Sequence, residues 1–140
     1  MVCLGLDLGS KTLGVSISDR TATIASSLEV IRYNNEEDLF SRLDEIVYTR
    51  SVDIFVLGNP LNLDGSISKR TEETLEFKNK LESRYPTKKV ILQDERLSTV
   101  EAQRLLISND TRRKNRKKVI DKIAATIILQ AYLDRSSHER

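Results

Sequence analysis

The hydrophobic and polar positions along the chain change their period several times, and each change predicts a different element. The first thirty residues alternate apolar with small or polar side chains, which is typical of strands with one buried face. Short turns separate three such segments, so an antiparallel meander of three strands is expected. The predicted strands cover Val2–Leu8, Leu13–Ser18 and Ile24–Tyr33.

Helical spacing and compact apolar runs alternate through the rest of the chain. Apolar residues three and four apart predict amphipathic helices, and a capping-box pattern at Ser98 predicts the start of one of them. These helices are expected at Glu36–Arg50, Lys69–Arg84, Ser98–Ser108 and Val119–Arg135. Two short apolar runs lie between helices, as buried parallel strands do. They cover Asp53–Gly58 and Lys88–Asp94.

This order of elements predicts an α/β fold. It combines the meander with parallel strands in a mixed five-stranded sheet flanked by helices. With 140 residues, 39% hydrophobic and 31% charged, the chain fits one domain over residues 1–140. A single cysteine, Cys3, excludes an internal disulfide and is interpreted as a small strand filler in a reducing compartment. Neither a leader pattern nor an apolar stretch of membrane length is present, so a soluble cytoplasmic protein is expected.

One acidic residue interrupts the first predicted strand. Asp7 lies between Gly5 and Gly9, on the face opposite Leu4 and Leu6. A buried carboxylate needs a partner, because burying it unpaired is costly. The glycines leave this face bare, so a ligand can approach the backbone there. A turn anchored by the Asp7 carboxylate is the structural alternative.

Two further acids stand at the ends of predicted elements. Glu95 follows the last predicted strand, and Asp121 lies in the first turn of the last predicted helix, on the same face as Ala125. Alternation sends Asp94 and Glu95 to opposite sides of the sheet, so only one of them can join Asp7. Alone, Glu95 favours a surface ion pair, whereas Asp121 leaves a partner of the helix dipole and a functional acid equally open.

Together, Asp7, Glu95 and Asp121 indicate a metal site. The first and last strands are expected to be near neighbours, and three carboxylates brought together there would repel one another without divalent cations. Oxygen ligands without a histidine or cysteine cluster favour Mg²⁺ or Mn²⁺. Two such ions about 4 Å apart stabilise the attacking and leaving oxygens in phosphodiester hydrolysis. His138 is the single histidine of the sequence and lies in a polar tail. Catalysis by a histidine general base or a histidine-containing triad is therefore not expected.

Cationic residues cluster just before the last predicted helix. Net charge is only +2, yet six of the seven residues from 112 to 118 are lysine or arginine. A solvated connection is one interpretation, and salt-dependent attraction of a phosphate backbone is the other. Asn62 lies in a loop predicted over Asn59–Ser68, where Asp64 and Gly65 favour a tight turn. The candidate nucleic-acid-binding residues are Asn62, Arg96, Arg112, Arg113, Lys114, Arg116, Lys117 and Lys118.

Four motifs resemble those of the bacterial YqgF (RuvX) family, in the family's order and over nearly the whole chain. They read GLDLGS from Gly5, GNPLNLDG from Gly58, DERLSTVEA from Asp94 and DKIAA from Asp121. The resemblance implies an RNase H-like fold, similarity to Holliday junction resolvases and a nuclease that matures the 5′ end of pre-16S ribosomal RNA. It also implies that the metal-binding acids are Asp7, Glu95 and Asp121.

Two residues depart from the family's usual pattern. Asn59 stands where an apolar residue is common, and Lys122 replaces a small residue directly after Asp121. Successive residues of a helix are about 100° apart. Lys122 is therefore expected to contact phosphate or solvent rather than to neutralise the acid.

Several functions remain open. The leading hypothesis is a metal-dependent nuclease on structured RNA, and cleavage of branched DNA by the same acids is the close alternative. Junction cleavage needs a two-fold dimer, and both a monomer and a homodimer are compatible with the sequence. A third hypothesis is a non-catalytic RNA-binding factor in ribosome assembly. Sugar kinases and actin-like ATPases share an Asp-x-Gly-Ser pattern, but 140 residues do not supply their two lobes.

Overall fold

The computed structural model describes residues 1–60, 64–94 and 113–138, with side chains outside 113–122 and 137–138. Eight elements follow one another in these ranges. They are β1 (Cys3–Leu8), β2 (Thr12–Ser18), β3 (Ala25–Arg32), α1 (Glu36–Arg50), β4 (Ile54–Asn59), α2 (Lys69–Arg84), β5 (Lys89–Asp94) and α3 (Arg113–His138). The helix predicted over Ser98–Ser108 lies outside the described residues.

The five strands form one sheet in the order β3-β2-β1-β4-β5. β1 pairs antiparallel with β2, and β2 with β3, whereas β1, β4 and β5 are parallel. The predicted mixed sheet is therefore confirmed. β1 and β5 are not adjacent, because β4 takes the place beside β1. Neighbouring strands are about 4.8 Å apart, so roughly 10 Å separates β1 from β5.

Two apolar layers enclose the sheet. The larger layer joins one face of the sheet to α1 and α2, and includes Leu4, Leu6 and Phe55. The smaller layer joins the other face to α3, and includes Cys3 and Val56. The predicted alternation along β1 is thus confirmed. Cys3 is buried in the smaller layer, as expected for a strand filler.

α1 and α2 have the bounds that the sequence predicts, because local capping fixes both starts. The side chain of Asn35 accepts a hydrogen bond from the Asp38 N–H at 2.9 Å. At α2, Ser68 and Thr71 form a capping box, in which each side chain accepts from the other residue's backbone N–H. The Thr71 hydroxyl also donates to the Pro60 carbonyl at 2.8 Å. This last bond places the start of α2 at the carboxyl end of β4.

α3 begins at Arg113 rather than at Val119. The cationic residues after Arg112 therefore form the first turns of a helix and not a connection. Apolar periodicity marks only the buried part of a helix, whereas lysine and arginine extend it because their intrinsic helix propensity is high. Asp121 consequently lies more than two turns inside α3. The helix dipole acts within the first turn, so it does not explain this acid.

At Gly5, α3 lies directly against the sheet. The Ser16 hydroxyl of β2 donates to the Ala125 carbonyl of α3 at 2.6 Å. A Cβ on Gly5 would overlap the Ser16 hydroxyl, and would lie 2.7 Å from Leu129 Cβ and 2.8 Å from the Ala125 carbonyl oxygen. The expectation that Gly5 leaves room for a ligand is therefore wrong. Helix backbone occupies that room.

The turn between β2 and β3 is held by the carboxylate of Asp19. Its oxygens accept hydrogen bonds from the Thr21 hydroxyl, from Thr23 N–H at 2.8 Å and from Ile24 N–H at 3.1 Å. These donors, that of Thr21 first, lower the pKa of Asp19 from 3.8 to about 2. The turn is thus stabilised only while the carboxylate is ionised.

Asp19→Ala is expected to lower stability at pH 7 and to lose that effect in strong acid. Because the folded pKa is depressed from 3.8 to about 2, the stabilisation is present above pH 3.8 and is lost as the pH falls through 2. Urea midpoints of wild type and variant, measured between pH 7 and pH 1.5, would show the difference closing in this window. A difference that persists undiminished at pH 1.5 would contradict the assignment.

Candidate active site

Asp7 lies at the carboxyl end of β1, where the parallel strands of the sheet end together. It is partly buried, and it is two residues beyond Gly5, so alternation puts it on the face that α3 covers. The last paired residues of β1 and β4 are Leu6 and Leu57, and the next along each strand are Asp7 and Gly58. Gly58 in turn pairs with Gln93 of β5. Asp7, Gly58 and Gln93 thus form one row across the sheet.

α3 crosses the sheet obliquely, in the sense opposite to β1. Ala125 is fixed beside Gly5 by the contacts with Ser16. Further along the helix, the Gln130 side chain accepts from Ala25 N–H at 2.8 Å and donates to the Thr23 carbonyl at 2.9 Å. Thr23 and Ala25 lie at the start of β3, at the end of the sheet opposite to the carboxyl end of β1. The amino-terminal half of α3 therefore extends towards the carboxyl end of β1.

This direction brings the backbone of Asp121 to the level of Asp7. Asp121 precedes Ala125 by four residues, which is a step of about 6 Å along a helix axis. Asp7 follows Gly5 by two residues, which is a step of about 7 Å along a strand. Both steps lead to the same edge of the sheet. The fold thus brings the backbones of Asp7 and Asp121, two of the three predicted ligands, towards the same end of the sheet.

Asp94 is the last residue of β5, and Glu95 follows it. The face on which Asp94 lies bears on which of these two acids can join Asp7. Ile91 packs in the α3 layer and Leu92 in the α1/α2 layer. Alternation therefore puts Gln93 on the α3 face and Asp94 on the opposite face. Asp94 is not on the face of Asp7. Glu95, the next residue, lies outside the described residues.

Gln93 is a candidate site residue that the sequence analysis does not single out. It is only 9% exposed, and no donor of the described residues lies within hydrogen-bond distance of its Oε1 atom. Uncharged and embedded in an apolar strand, it resembles an ordinary strand residue in the sequence. The signal that identifies it is a polar residue two positions beyond Ile91, on a face that should be apolar.

The predicted nucleic-acid-binding residues are only partly placed. Arg113, Lys114, Arg116, Lys117 and Lys118 belong to the first turns of α3, at the end of the helix that extends towards Asp7. Asn62, Arg96 and Arg112 lie outside the described residues. A cation with a described side chain contacts this edge directly, since Arg70 Nη2 donates to the Leu8 carbonyl at 3.3 Å. Leu8 directly follows Asp7.

Asp64 and Gly65 form the tight turn that the sequence predicts. The Asp64 carboxylate accepts a hydrogen bond from Ser66 N–H at 2.8 Å, and Gly65 has a φ of 87°. This region of φ favours glycine. The structural interpretation of this dipeptide is confirmed.

A cavity of about 670 Å³ opens at the other edge of the sheet, beside residues that precede β4 and β5. Asp53, Tyr85 and Lys88 contribute to its lining. None of the predicted site residues that the structure describes lines it. Among the residues whose side chains are described, no three histidine, cysteine, aspartate or glutamate residues converge as metal ligands do.

A family model described as "RuvX: Holliday junction resolvase" matches residues 1–135. The chain belongs to the RuvX family. Its resemblance to that family, first visible in four short motifs, is confirmed over nearly the full length.

Curated RuvX relatives cover almost the whole chain. The protein of Bacillus subtilis is 46% identical over 136 residues, which are 96% of this chain and 98% of the relative. Those of Bacillus pumilus and Bacillus cytotoxicus are 49% and 48% identical, with the same coverage. All three carry the name "Putative pre-16S rRNA nuclease".

Solved structures show the fold of this RuvX chain. Thermus thermophilus RuvC in complex with a Holliday junction substrate has a TM-score of 0.57 at 15% identity, covering 97% of this chain and 96% of RuvC. The fowlpox virus resolvase with Holliday junction DNA has a TM-score of 0.51 at 12% identity, covering 99% and 97%. The predicted RNase H-like fold is confirmed. Within the described ranges, no helix has the length and apolar character that crossing a membrane requires.

Proposed function

We propose that this RuvX-family chain is a metal-dependent endonuclease that processes the 5′ end of the 16S ribosomal RNA precursor. Its catalytic and metal-binding acids would be Asp7, Glu95 and Asp121. The observation that carries the proposal is the convergence of three elements at one edge: the end of β1 with Asp7, the end of β5 before Glu95, and the α3 turn that contains Asp121. The relatives' shared name supplies the substrate. Such a substrate implies a cytoplasmic protein.

The residues at this edge fit a hard divalent cation. All three proposed ligands are carboxylates, and the buried Oε1 of Gln93 adds a neutral oxygen on the same face as Asp7. Mg²⁺ and Mn²⁺ prefer such oxygen donors. Two ions held there would stabilise the negative charge that develops on the phosphodiester oxygens. Asp7 is the acid best placed to bind both, because β1 is the central strand of the five-stranded sheet.

Rigid packing would hold Asp7 and the backbone of Asp121 in place. Asp7 follows a buried stretch of β1, and α3 is fixed to the sheet by the Ser16 bond to the Ala125 carbonyl. Ala125 and Leu129 are fully buried, so the turn before them has little freedom to move. Sites on strands and helices hold ligand geometry better than sites on loops. This arrangement keeps Asp7 and Asp121 at one level without the substrate.

Cations at the same edge are proposed to hold the RNA backbone. The first turns of α3 carry five of them, namely Arg113, Lys114, Arg116, Lys117 and Lys118. Arg70, bonded to the Leu8 carbonyl, lies on the other side of Asp7. Asn62, Arg96 and Arg112 would widen this surface. Phosphate binding of this kind weakens linearly with the logarithm of salt concentration.

Cleavage of branched DNA is the second candidate. It is favoured by the description of the family model as a Holliday junction resolvase. A junction has two-fold symmetry, so a resolvase acts as a homodimer, whereas RNA processing is compatible with a monomer. The oligomeric state in solution therefore bears directly on the choice of substrate.

Parallel cleavage assays test the two candidates. Purified protein is incubated with a 5′-extended 16S precursor RNA and with a four-way DNA junction, each with Mg²⁺, Mn²⁺ or EDTA. We expect metal-dependent cleavage of the RNA and little cleavage of the junction. Efficient junction cleavage by a dimer would instead establish the second candidate. Tight RNA binding without cleavage in any metal would indicate a non-catalytic assembly factor.

A further inference from the structure

Three buried side-chain oxygens have no hydrogen-bond donor within reach among the described residues. They are Asn59 Oδ1, Gln93 Oε1 and Thr126 Oγ1. Native proteins leave few buried acceptors without a donor, and each exception calls for a reason. Of the three, Gln93 is the one in the row of Asp7, on the face covered by α3. Its environment therefore points to a donor that belongs to the active site.

No side chain of the described residues lies between Asp7 and Gln93 within the row across the sheet. Gly58, which lies between them, has no side chain and is itself buried. The two strands that carry Asp7 and Gln93 are about 10 Å apart. The carboxylate and the carboxamide thus flank the same stretch of bare backbone. A single water spans only about 5.6 Å between two hydrogen-bond partners, so a cation bound to Asp7 together with one of its waters would be needed to link the two side chains.

We propose that Gln93 is a positioning residue whose Oε1 accepts a hydrogen bond from a water held between Gln93 and Asp7. This inference rests on the proposed function, because a water in the shell of a divalent cation is the donor that the acids would bring there. Carboxamide oxygen suits this role since it accepts a hydrogen bond without adding a fourth negative charge. Groups that orient the ligands of a metal site in this way affect both metal affinity and activity.

Gln93→Leu separates this role from a structural one. It removes the unpaired acceptor while keeping most of the volume, so Tm is expected to stay level or to rise by about 3 °C. Apparent affinity for Mn²⁺, measured from the Mn²⁺ dependence of Tm, is expected to fall about 10-fold, and RNA cleavage by a similar factor. Gln93→Glu keeps the acceptor and is expected to bind Mn²⁺ at least as tightly as wild type.

Thr126→Val is the matched control, because it also removes a buried unpaired oxygen but does so on α3. It is expected to leave Mn²⁺ affinity and cleavage unchanged. Should Gln93→Leu fail to fold, Gln93→Met provides the same readouts with a side chain of similar length.

The outcomes distinguish the inference from the function on which it rests. If Asp7→Asn loses Mn²⁺ binding and cleavage while both apolar Gln93 variants keep wild-type values, the positioning role is overturned and the nuclease stands. If Asp7→Asn itself keeps both properties, the proposed function falls and the role of Gln93 with it. Parallel losses in Asp7→Asn and Gln93→Leu, with recovery in Gln93→Glu, support both.

Discussion

Asp7→Asn is expected to reduce metal-dependent RNA cleavage by at least about 10²-fold while leaving the fold intact. Loss of an outer partner of a metal site already costs about 10–100-fold, and a direct ligand should cost no less than the upper value. Asparagine has nearly the same shape as aspartate, so the packing at the end of β1 should not change. Single-turnover cleavage rates and thermal unfolding of the same preparations measure the two effects.

Asp53→Asn is the matched control for this substitution. Asp53 precedes β4 at the opposite edge of the sheet, where its carboxylate accepts the Val2 N–H at 2.9 Å. Asparagine keeps an oxygen for that bond, so this variant should fold and cleave like wild type. Undiminished cleavage by Asp7→Asn would exclude Asp7 as a ligand. Equal losses in both variants would attribute the effect to general instability.

RNA binding by Asp7→Asn should survive the loss of cleavage. The proposed phosphate contacts come from the cations of α3 and from Arg70, and none of them is changed. Removing one negative charge also weakens the repulsion of the phosphate backbone. Retained binding together with lost cleavage would show that Asp7 acts in the chemical step.

Local signals explain why much of the fold follows from the sequence. α1 and α2 were predictable to the residue because Asn35 and Ser68 cap their starts and each apolar stripe continues to the end. The alternation along β1 was equally reliable, because one face packs on α1 and α2 and the other on α3. These features depend on residues that are close in the chain.

Features that depend on distant residues were less predictable. The place of β4 beside β1 depends on how the chain crosses over between strands, and no residue of β1 or β5 indicates it. The role of Gly5 depends on Ala125 and Leu129, more than a hundred residues away. The start of α3 was set too late because its first turns carry charged residues, which give no apolar period.

The candidate site was predictable where a residue conflicts with its surroundings. Asp7 is conspicuous because a charge interrupts an apolar strand, and the structure puts it near the carboxyl end of β1. Gln93 escaped notice because an uncharged amide conflicts less with an apolar run, and only its burial makes the missing donor significant. The ligand roles of Asp7, Glu95 and Asp121 stay predictions.

Gly5→Ala is expected to be among the most destabilising single-methyl changes in the chain. Its new Cβ would lie 2.7 Å from Leu129 Cβ and 2.8 Å from the Ala125 carbonyl oxygen, and backbone cannot rotate away as a side chain can. Overpacking of this kind costs about 1–3 kcal/mol, which is a large share of the stability of a typical domain. A fall in Tm of roughly 5–10 °C should accompany it.

Cleavage is expected to fall in Gly5→Ala even at temperatures where the protein is folded. The substitution pushes α3 away from β1, and the same helix carries Asp121 to the level of Asp7. Cleavage and the Mn²⁺ dependence of Tm, both measured well below the Tm of the variant, test this coupling. Wild-type values of both would show that the acids do not depend on the close approach of α3.

Gly9→Ala and a double variant make the explanation specific. At Gly9 a Cβ would meet the Thr12 hydroxyl at 2.5 Å, and that side chain can turn to another rotamer, so the cost should be much smaller. Adding Ser16→Ala to Gly5→Ala removes the hydroxyl that overlaps the new Cβ. Although Ser16→Ala alone loses the bond to the Ala125 carbonyl, the double variant should be more stable than the sum of the two single effects predicts. If the stability losses of the two single variants simply add in the double variant, the crowding at Gly5 is relieved by movement elsewhere. In that case α3 is not held against the sheet at Gly5.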